Sequence, residues 1–471
     1  MRSVLSVTSE CAPLVKTGGL ADVAGALPGA LVAEGWQLRT LLPGYPAVIK
    51  ALSSAKVGLT LDSFFGGSAR VLTAKAAGLE LLVLDAPHLF DRAGSLYLDE
   101  AGRDFDDNPQ RFAALSQTAA AIAQGAVKGF RPEVVHCHDW QAGLAPYYLR
   151  DTPVGTVFTI HNIAFQGVAP AQMVETLGID RTDFIEEGLE YWGQISALKA
   201  GLRWADQLTT VSPTYAAELT TPEFGMGMEG LLRARERDLS GILNGVDTAA
   251  WNPATDKAIT AYKTPKGKAR NKIKLRKDFG LPETDGPLAV VVSRLSHQKG
   301  LDVLLDALPA LVDRGGQLAL LGTGDPALEA QFRKAAEHPN VAVHIGYDEA
   351  LSHRVIAGGD AILIPSRFEP CGLTQLYGLR YGTIPVVART GGLVDTVIDA
   401  SPAARRAGVA TGLQFGPVTP HALATALLRL VDLYHDTPTW AKMQKNAMTS
   451  EVGWDMSAGA YARLYEKVAQ G

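Results

Sequence analysis

Short apolar, β-branched runs alternate with segments of helical periodicity along the whole chain, and this alternation restricts the fold more than any other feature. In the first half, Val4–Val7, Leu79–Leu84, Val134–His136, Thr156–Ile160 and Leu208–Val211 read as strands. In the second half, Leu288–Val292, Gln317–Leu321, Val341–His344, Ala361–Ile364 and Ile384–Val387 do the same. Between them, Ala21–Glu34, Arg111–Ala126, Gly300–Asp313 and Leu373–Tyr381 carry the spacing of helices. Strand–helix alternation predicts parallel, doubly wound sheets. A chain of 471 residues outgrows a single core, so two α/β domains are expected.

The boundary is expected at Leu243-Asn244-Gly245-Val246-Asp247, which gives domains 1–243 and 244–453. The next stretch, Asn252 to Asp285, is rich in Lys, Pro and Gly and shows no strand pattern. Its basic run, Lys263 to Lys277, reads as a solvated first helix of the second domain and not as a nucleic-acid patch, because the net charge is −5. No apolar run is long enough for a membrane span. The short run before Glu10 reads as a first strand and not as a signal peptide. Three cysteines, Cys11, Cys137 and Cys371, fit a reducing compartment, and the cytoplasm is expected.

In open α/β sheets, ligands bind beyond the carboxyl ends of strands. After the first strand, Lys16-Thr17-Gly18-Gly19-Leu20 offers glycines, a cation and a helix start, a cradle suited to a diphosphate. The same pattern returns at Arg389-Thr390-Gly391-Gly392-Leu393, which suggests a pair of anion-binding loops. After Leu288–Val292, Arg294 and Lys299 can neutralise a leaving diphosphate without a metal; the alternative is a surface salt-bridge pair. After Ala361–Ile364, Glu369 can bind sugar hydroxyls, stabilise a positive anomeric carbon or simply cap a helix, and the amides from Cys371 through Gly372 and Leu373 to Thr374 can meet phosphate.

Gly322-Thr323-Gly324-Asp325-Pro326-Ala327 fits a dinucleotide pattern, but Pro326 lacks an N–H and the motif lies deep in the second half, so an NAD-linked oxidoreductase is the weaker reading. His136-Cys137-His138-Asp139 invites zinc, yet no second ligand pair follows at a suitable spacing, and no metal is expected. Asp139 and Trp140 suit a sugar better, through a carboxylate and an aromatic face. His161 and Asn162 can bind hydroxyls, although a buried, satisfied His161 is about equally common. Tyr97 is a candidate stacking face for glucan.

Taken in order, Lys16–Val23, His138-Asp139-Trp140, His161-Asn162, Asn244–Asp247, Ser293-Arg294-Leu295, Gln298-Lys299-Gly300, Glu369–Leu373 and Thr390–Leu393 resemble bacterial glycogen synthases and plant starch synthases. The resemblance runs from about Val4 to Trp454. It implies a GT-B fold with a cleft between the domains, and a segment 454–471 that returns to the first domain. It also implies that the first domain holds acceptor glucan (glycogen or a maltooligosaccharide) and the second holds ADP-glucose, with no cofactor. Arg294 and Lys299 would meet the diphosphate, with Lys16 reaching it from the other domain. Glu369, His161 and Asp139 would surround the transferred glucose, Asp22 and Asn244 would line the cleft, and Tyr347 would stack near adenine.

Overall fold

The computed structural model describes residues 1–470. It divides into two compact units, Met1–Gly245 together with the chain from Trp454 onward, and Val246–Gly453. Asn244 therefore belongs to the first unit and not, as expected, to the second.

The first unit carries nine strands in one sheet and three in a small one. In chain order they are β1 (Arg2–Val7), β2 (Trp36–Pro43), β3 (Ser53–Phe64), β4 (Gly67–Ala76), β5 (Leu79–Asp85), β6 (Val134–His138), β7 (Gly155–Ile160), β8 (Val168–Pro170), β9 (Glu190–Tyr191), β10 (Gln194–Ser196), β11 (Gln207–Thr210) and β12 (Leu239–Gly241). The large sheet is ordered β12-β11-β7-β6-β1-β2-β5-β4-β3. The pairs from β12 to β5 are parallel, and β4 and β3 add an antiparallel edge. Every residue of β6 and β7 is buried, as expected for a parallel sheet covered on both faces. β3 is mostly exposed and lacks clean alternation, so no pattern announced it. The last helix, Asp455–Ala469, lays Tyr461, Leu464 and Tyr465 against Val4, Trp36 and Val157, which is why the end of the chain belongs to this unit.

The second unit holds β13 (Leu288–Val292), β14 (Gln317–Gly322), β15 (Val341–Ile345), β16 (Ala361–Ile364), β17 (Ile384–Ala388) and β18 (Leu413–Phe415), all parallel, in the order β15-β14-β13-β16-β17-β18. The basic run forms the helix Ala269–Phe279, which packs Leu275 into this unit's core. In both sheets the chain builds outward from a central strand in one direction and then returns to build in the other. The reversal falls between β1 and β6 in one unit and between β13 and β16 in the other, where doubly wound folds place ligands.

Candidate active site

In the second unit the loops after β13 and β16 meet at the reversal. Lys299 Nζ donates to both oxygens of Glu369, at 2.9 and 2.7 Å, and Ser366 Oγ donates to the same carboxylate at 2.7 Å. Gly300 makes this approach possible. It has φ +63°, and a Cβ there would lie 2.0 Å from the Pro365 carbonyl oxygen. Arg367 ties the loops further, with two bonds to Asp302 at 2.7 and 2.6 Å and one to the His297 carbonyl at 2.7 Å. These bonds hold the Asp302 carboxyl below its ordinary range. Glu369 is only 7% exposed, so its charge depends on Lys299 and Ser366. A cavity of about 30 Å³ opens beside it, lined in part by Ser293, Thr374 and Gly372.

Gln375 is fully buried next to this cavity. Its Nε2 donates to the Cys371 and Gly372 carbonyls, while its Oε1 has no hydrogen-bond partner. Cys371 is a buried thiol outside any disulfide, and half-buried Leu373 precedes the helix Thr374–Tyr381. Arg294 is exposed and its side chain makes no ion pair or hydrogen bond among the described residues, which leaves a whole guanidinium available for an anion. Tyr347, just after β15, is 77% exposed.

The second Gly-Gly loop packs against its own protein. A Cβ at Gly391 would lie 2.0 Å from the Glu369 carbonyl oxygen, and the Gly392 amide donates to the Glu369 and Pro370 carbonyls. The dinucleotide-like turn is filled in a similar way. Glu329 accepts from Thr323 Oγ1 at 2.8 Å and from the Gly324 amide at 3.0 Å, where a pyrophosphate would have to sit.

In the first unit the same theme recurs with Glu10, which the sequence reading passed over. It is 3% exposed and accepts from the Thr17 amide at 2.5 Å, the Gly18 amide at 3.1 Å, Thr17 Oγ1 at 2.7 Å and Tyr97 OH at 2.8 Å. The cradle expected at Gly18 and Gly19 is thus already closed over a protein carboxylate on the Gly18 side, and Gly19 begins the helix Gly19–Leu31. Lys16 pairs with Asp22 at 2.7 Å and remains half-exposed.

Asp139 follows β6 with φ +54° and ψ −174°, a conformation costly for any residue but glycine. Its Oδ1 accepts from the His161 amide at 2.6 Å and the Asn162 amide at 3.3 Å, which fastens the end of β6 to the end of β7. Burial pushes its carboxyl up to about 7 against the pull of those amides. The Asn162 side chain accepts from the Ala164 amide. Asn244 is 8% exposed, and its Oδ1 has no partner. The histidines suspected of binding metal are committed to hydrogen bonds. His136 meets Tyr465 OH and Thr159 Oγ1, and His138 meets Ser6 Oγ and His161. Burial holds all three imidazoles neutral, with His136 and His161 lowered to about 3.

Residues 3–234 match the family described as starch synthase catalytic domain, and residues 271–449 match group 1 glycosyl transferases. A glycogen synthase of Paracoccus denitrificans is 61% identical over 100% of both chains, and one of a Jannaschia species is 58% identical over 100% of both. The chain belongs to the glycogen synthase family. Among solved structures, the catalytic domain of starch synthase IV from Arabidopsis thaliana, bound to ADP and acarbose, is 31% identical, with a TM-score of 0.89 over 100% of both chains. A sucrose-phosphate synthase from Thermosynechococcus elongatus, 19% identical with a TM-score of 0.60, shares the fold. The two Rossmann-like units are those of a GT-B glycosyltransferase.

Both acceptor-side candidates carry packing contacts in this member of the glycogen synthase family. Half-buried Tyr97 bonds Glu10 and Ser9 through its hydroxyl, and its ring leans on Phe112 at 5.9 Å. Trp140 is packed as well. Phe112 meets it edge-on at 4.9 Å, and a Cβ on Gly167 would lie 2.4 Å from its ring. A spacing argument could not see either contact, because Phe112 and Gly167 approach from other elements.

Proposed function

We propose that this glycosyltransferase moves glucose from ADP-glucose to the non-reducing end of an α-1,4-glucan, with retention of configuration and release of ADP. The observation that carries this reading is the buried Glu369, held by Lys299 and Ser366 at the β13–β16 reversal with unpaired Arg294 in the same β13 loop. The name of the 61%-identical relative and the ADP and acarbose in the starch synthase IV structure support the donor and acceptor classes.

Breaking the glucose–phosphate bond leaves positive charge on the sugar and negative charge on the diphosphate. Arg294 and Lys299 stabilise the diphosphate, each worth about 3 kcal/mol when preorganised. The chain's own cations fill the role a metal would otherwise have, and no cofactor enters the reading. In the second unit Glu369 orients the transferred glucose; in the first, His161 and Asp139 offer partners for sugar hydroxyls and Lys16 offers a cation. Tyr347 offers an exposed ring to adenine. Retention follows front-face attack, in which a leaving-phosphate oxygen takes the proton of the acceptor hydroxyl. No helix among the described residues is long and apolar enough to cross a membrane, and three buried cysteines outside any disulfide favour a reducing cytoplasm.

The test is release of ADP and UDP from the two sugar nucleotides, with and without glycogen, on wild type and Glu369→Ala. Glycogen-dependent ADP release that collapses in the variant is expected. Faster UDP release overturns the donor assignment, and silence with both donors overturns the reaction. A glucosyl group trapped on Glu369 or Asp139 overturns the front-face route.

A further inference from the structure

Each nitrogen of a neutral imidazole is either a donor or an acceptor, so a hydrogen bond between two neutral histidines fixes both tautomers together. Ser6 on β1, His138 at the end of β6 and His161 just beyond β7 form such a chain across three neighbouring strands. Ser6 Oγ lies 3.2 Å from His138 Nε2, and His138 Nδ1 lies 3.0 Å from His161 Nε2. Their exposures are 1%, 0% and 9%, so water does not replace these bonds for Ser6 and His138, and only His161 touches the surface.

Two proton arrangements are self-consistent. In one, the Ser6 hydroxyl donates to His138 Nε2, His138 Nδ1–H donates to His161 Nε2, and His161 carries its own proton on Nδ1. In the other, His161 Nε2–H donates to His138, His138 Nε2–H donates to Ser6, and His161 Nδ1 is bare. The second arrangement strands the Ser6 hydroxyl hydrogen, which has no other acceptor among the described residues. A buried donor without an acceptor is costly. The first leaves only His161 Nδ1–H without an acceptor among the described residues, on the one member of the chain that reaches the surface.

We propose that Ser6 and His138 are positioning residues that lock His161 in the Nδ1-protonated tautomer, so that it presents a hydrogen-bond donor to a substrate oxygen. His161 then has no basic nitrogen facing the reaction and does not take the proton of the acceptor hydroxyl. That proton goes to the leaving phosphate. The role given to His161 rests on the transfer reaction proposed above; the tautomer itself does not.

The wild-type protein labelled with 15N-histidine decides it, with the His161 resonances assigned by their loss in His161→Asn. A protonated Nδ1 and bare Nε2 on His161 are expected. Ser6→Ala leaves His138 Nε2 without a donor and so narrows the gap between the two arrangements; it should shift His161 toward the other tautomer and lower kcat about 10- to 100-fold, the range for hydrogen-bond partners that orient metal-bound imidazoles. Ser6→Thr should restore both. A wild-type His161 protonated on Nε2 overturns the proposal, as does a Ser6→Ala variant with unchanged tautomer and kcat. The resonance readout needs no turnover, so an inactive wild type would refute the transfer reaction and leave the tautomer assignment decided on its own evidence.

Discussion

At the strand reversal of the first unit, the buried carboxylate of Glu10 is held by backbone amides and hydroxyls; at that of the second, the buried carboxylate of Glu369 is held by a lysine and a serine. The chain reverses in the same way at both places, but the partners differ in kind. Amides of a glycine loop are fixed dipoles, so Glu10 shapes the loop it sits in and leaves it little to offer an anion. Lys299 carries a full, mobile charge, so it can hold Glu369 at rest and turn toward a diphosphate when one arrives. One reversal is built as a rigid wall and the other as an exchangeable ion pair.

The largest effect should come from breaking the ion pair. Lys299→Met leaves Glu369 buried without a cation and removes the diphosphate contact proposed for Lys299. Turnover should fall by about 10³-fold, corresponding to about 4 kcal/mol. The second unit should also lose about 3–5 kcal/mol in denaturant unfolding. A loss confined to stability would show that Lys299 only neutralises Glu369.

Glu10→Gln should rank next. Its amide oxygen can still accept from the Thr17 and Gly18 amides, but its NH2 then faces the Thr17 and Tyr97 hydroxyls, which must turn from donors into acceptors. A stability loss of about 1–3 kcal/mol is expected, together with a rise in KM for the sugar nucleotide larger than any fall in kcat. Equal losses from Glu10→Gln and Lys299→Met would erase the contrast between wall and ion pair.

A pH series sharpens the comparison from another side. His136, His138 and His161 have folded values far below the ordinary imidazole range, so their stabilising contribution is present above about 6.5 and is lost as pH falls toward about 3. Asp139 has the opposite sign. Its folded value near 7 lies above that of the unfolded chain, so stability is lost as pH rises from the ordinary carboxyl range to about 7. Three histidines against one carboxyl give a net loss on acidification. Hydrogen exchange, corrected for its intrinsic pH dependence, should show protection of β6 and β7 falling from pH 7.5 to pH 5 more than that of β13 and β16. Asp139→Asn should steepen this loss.

Tyr97→Phe should have the smallest effect, about 1–2 kcal/mol for the two hydrogen bonds of its hydroxyl, to Glu10 and Ser9, with KM for glycogen unchanged. A several-fold rise in that KM would return Tyr97 to the acceptor side.

Much of this was legible in the chain itself. All ten strands read from β-branched runs fall on strands of the sheets, nine wholly inside them and Leu208–Val211 running one residue past β11, because central parallel strands buried on both faces are nearly continuous apolar stretches. The strands that were missed include exposed β3 and the short β12 and β18, whose sequences carry no such run. Among site residues, Lys299 and Glu369 were found because each follows a strand in a polar loop. Glu10 does so too, but a lone acid after a first strand does not reveal its four donors. Ser6 and His138 lie inside strands, where a polar side chain reads as packing.

The sequence by itself determined the class of fold, the strand ends where chemistry gathers and the order of motifs that marks the family, because these depend on periodicity and local loop composition. Only the tertiary structure decided which donors are already taken. The Gly18 amide belongs to Glu10, Tyr97 is its prop, Trp140 is packed against Phe112 and Gly167, and Lys299 belongs to Glu369. The reason is physical: a hydrogen bond or ion pair depends on ångström-scale approach between residues up to 87 positions apart in these cases, and that approach is set by strand register and by close contacts such as Gly300 against Pro365, not by any local pattern.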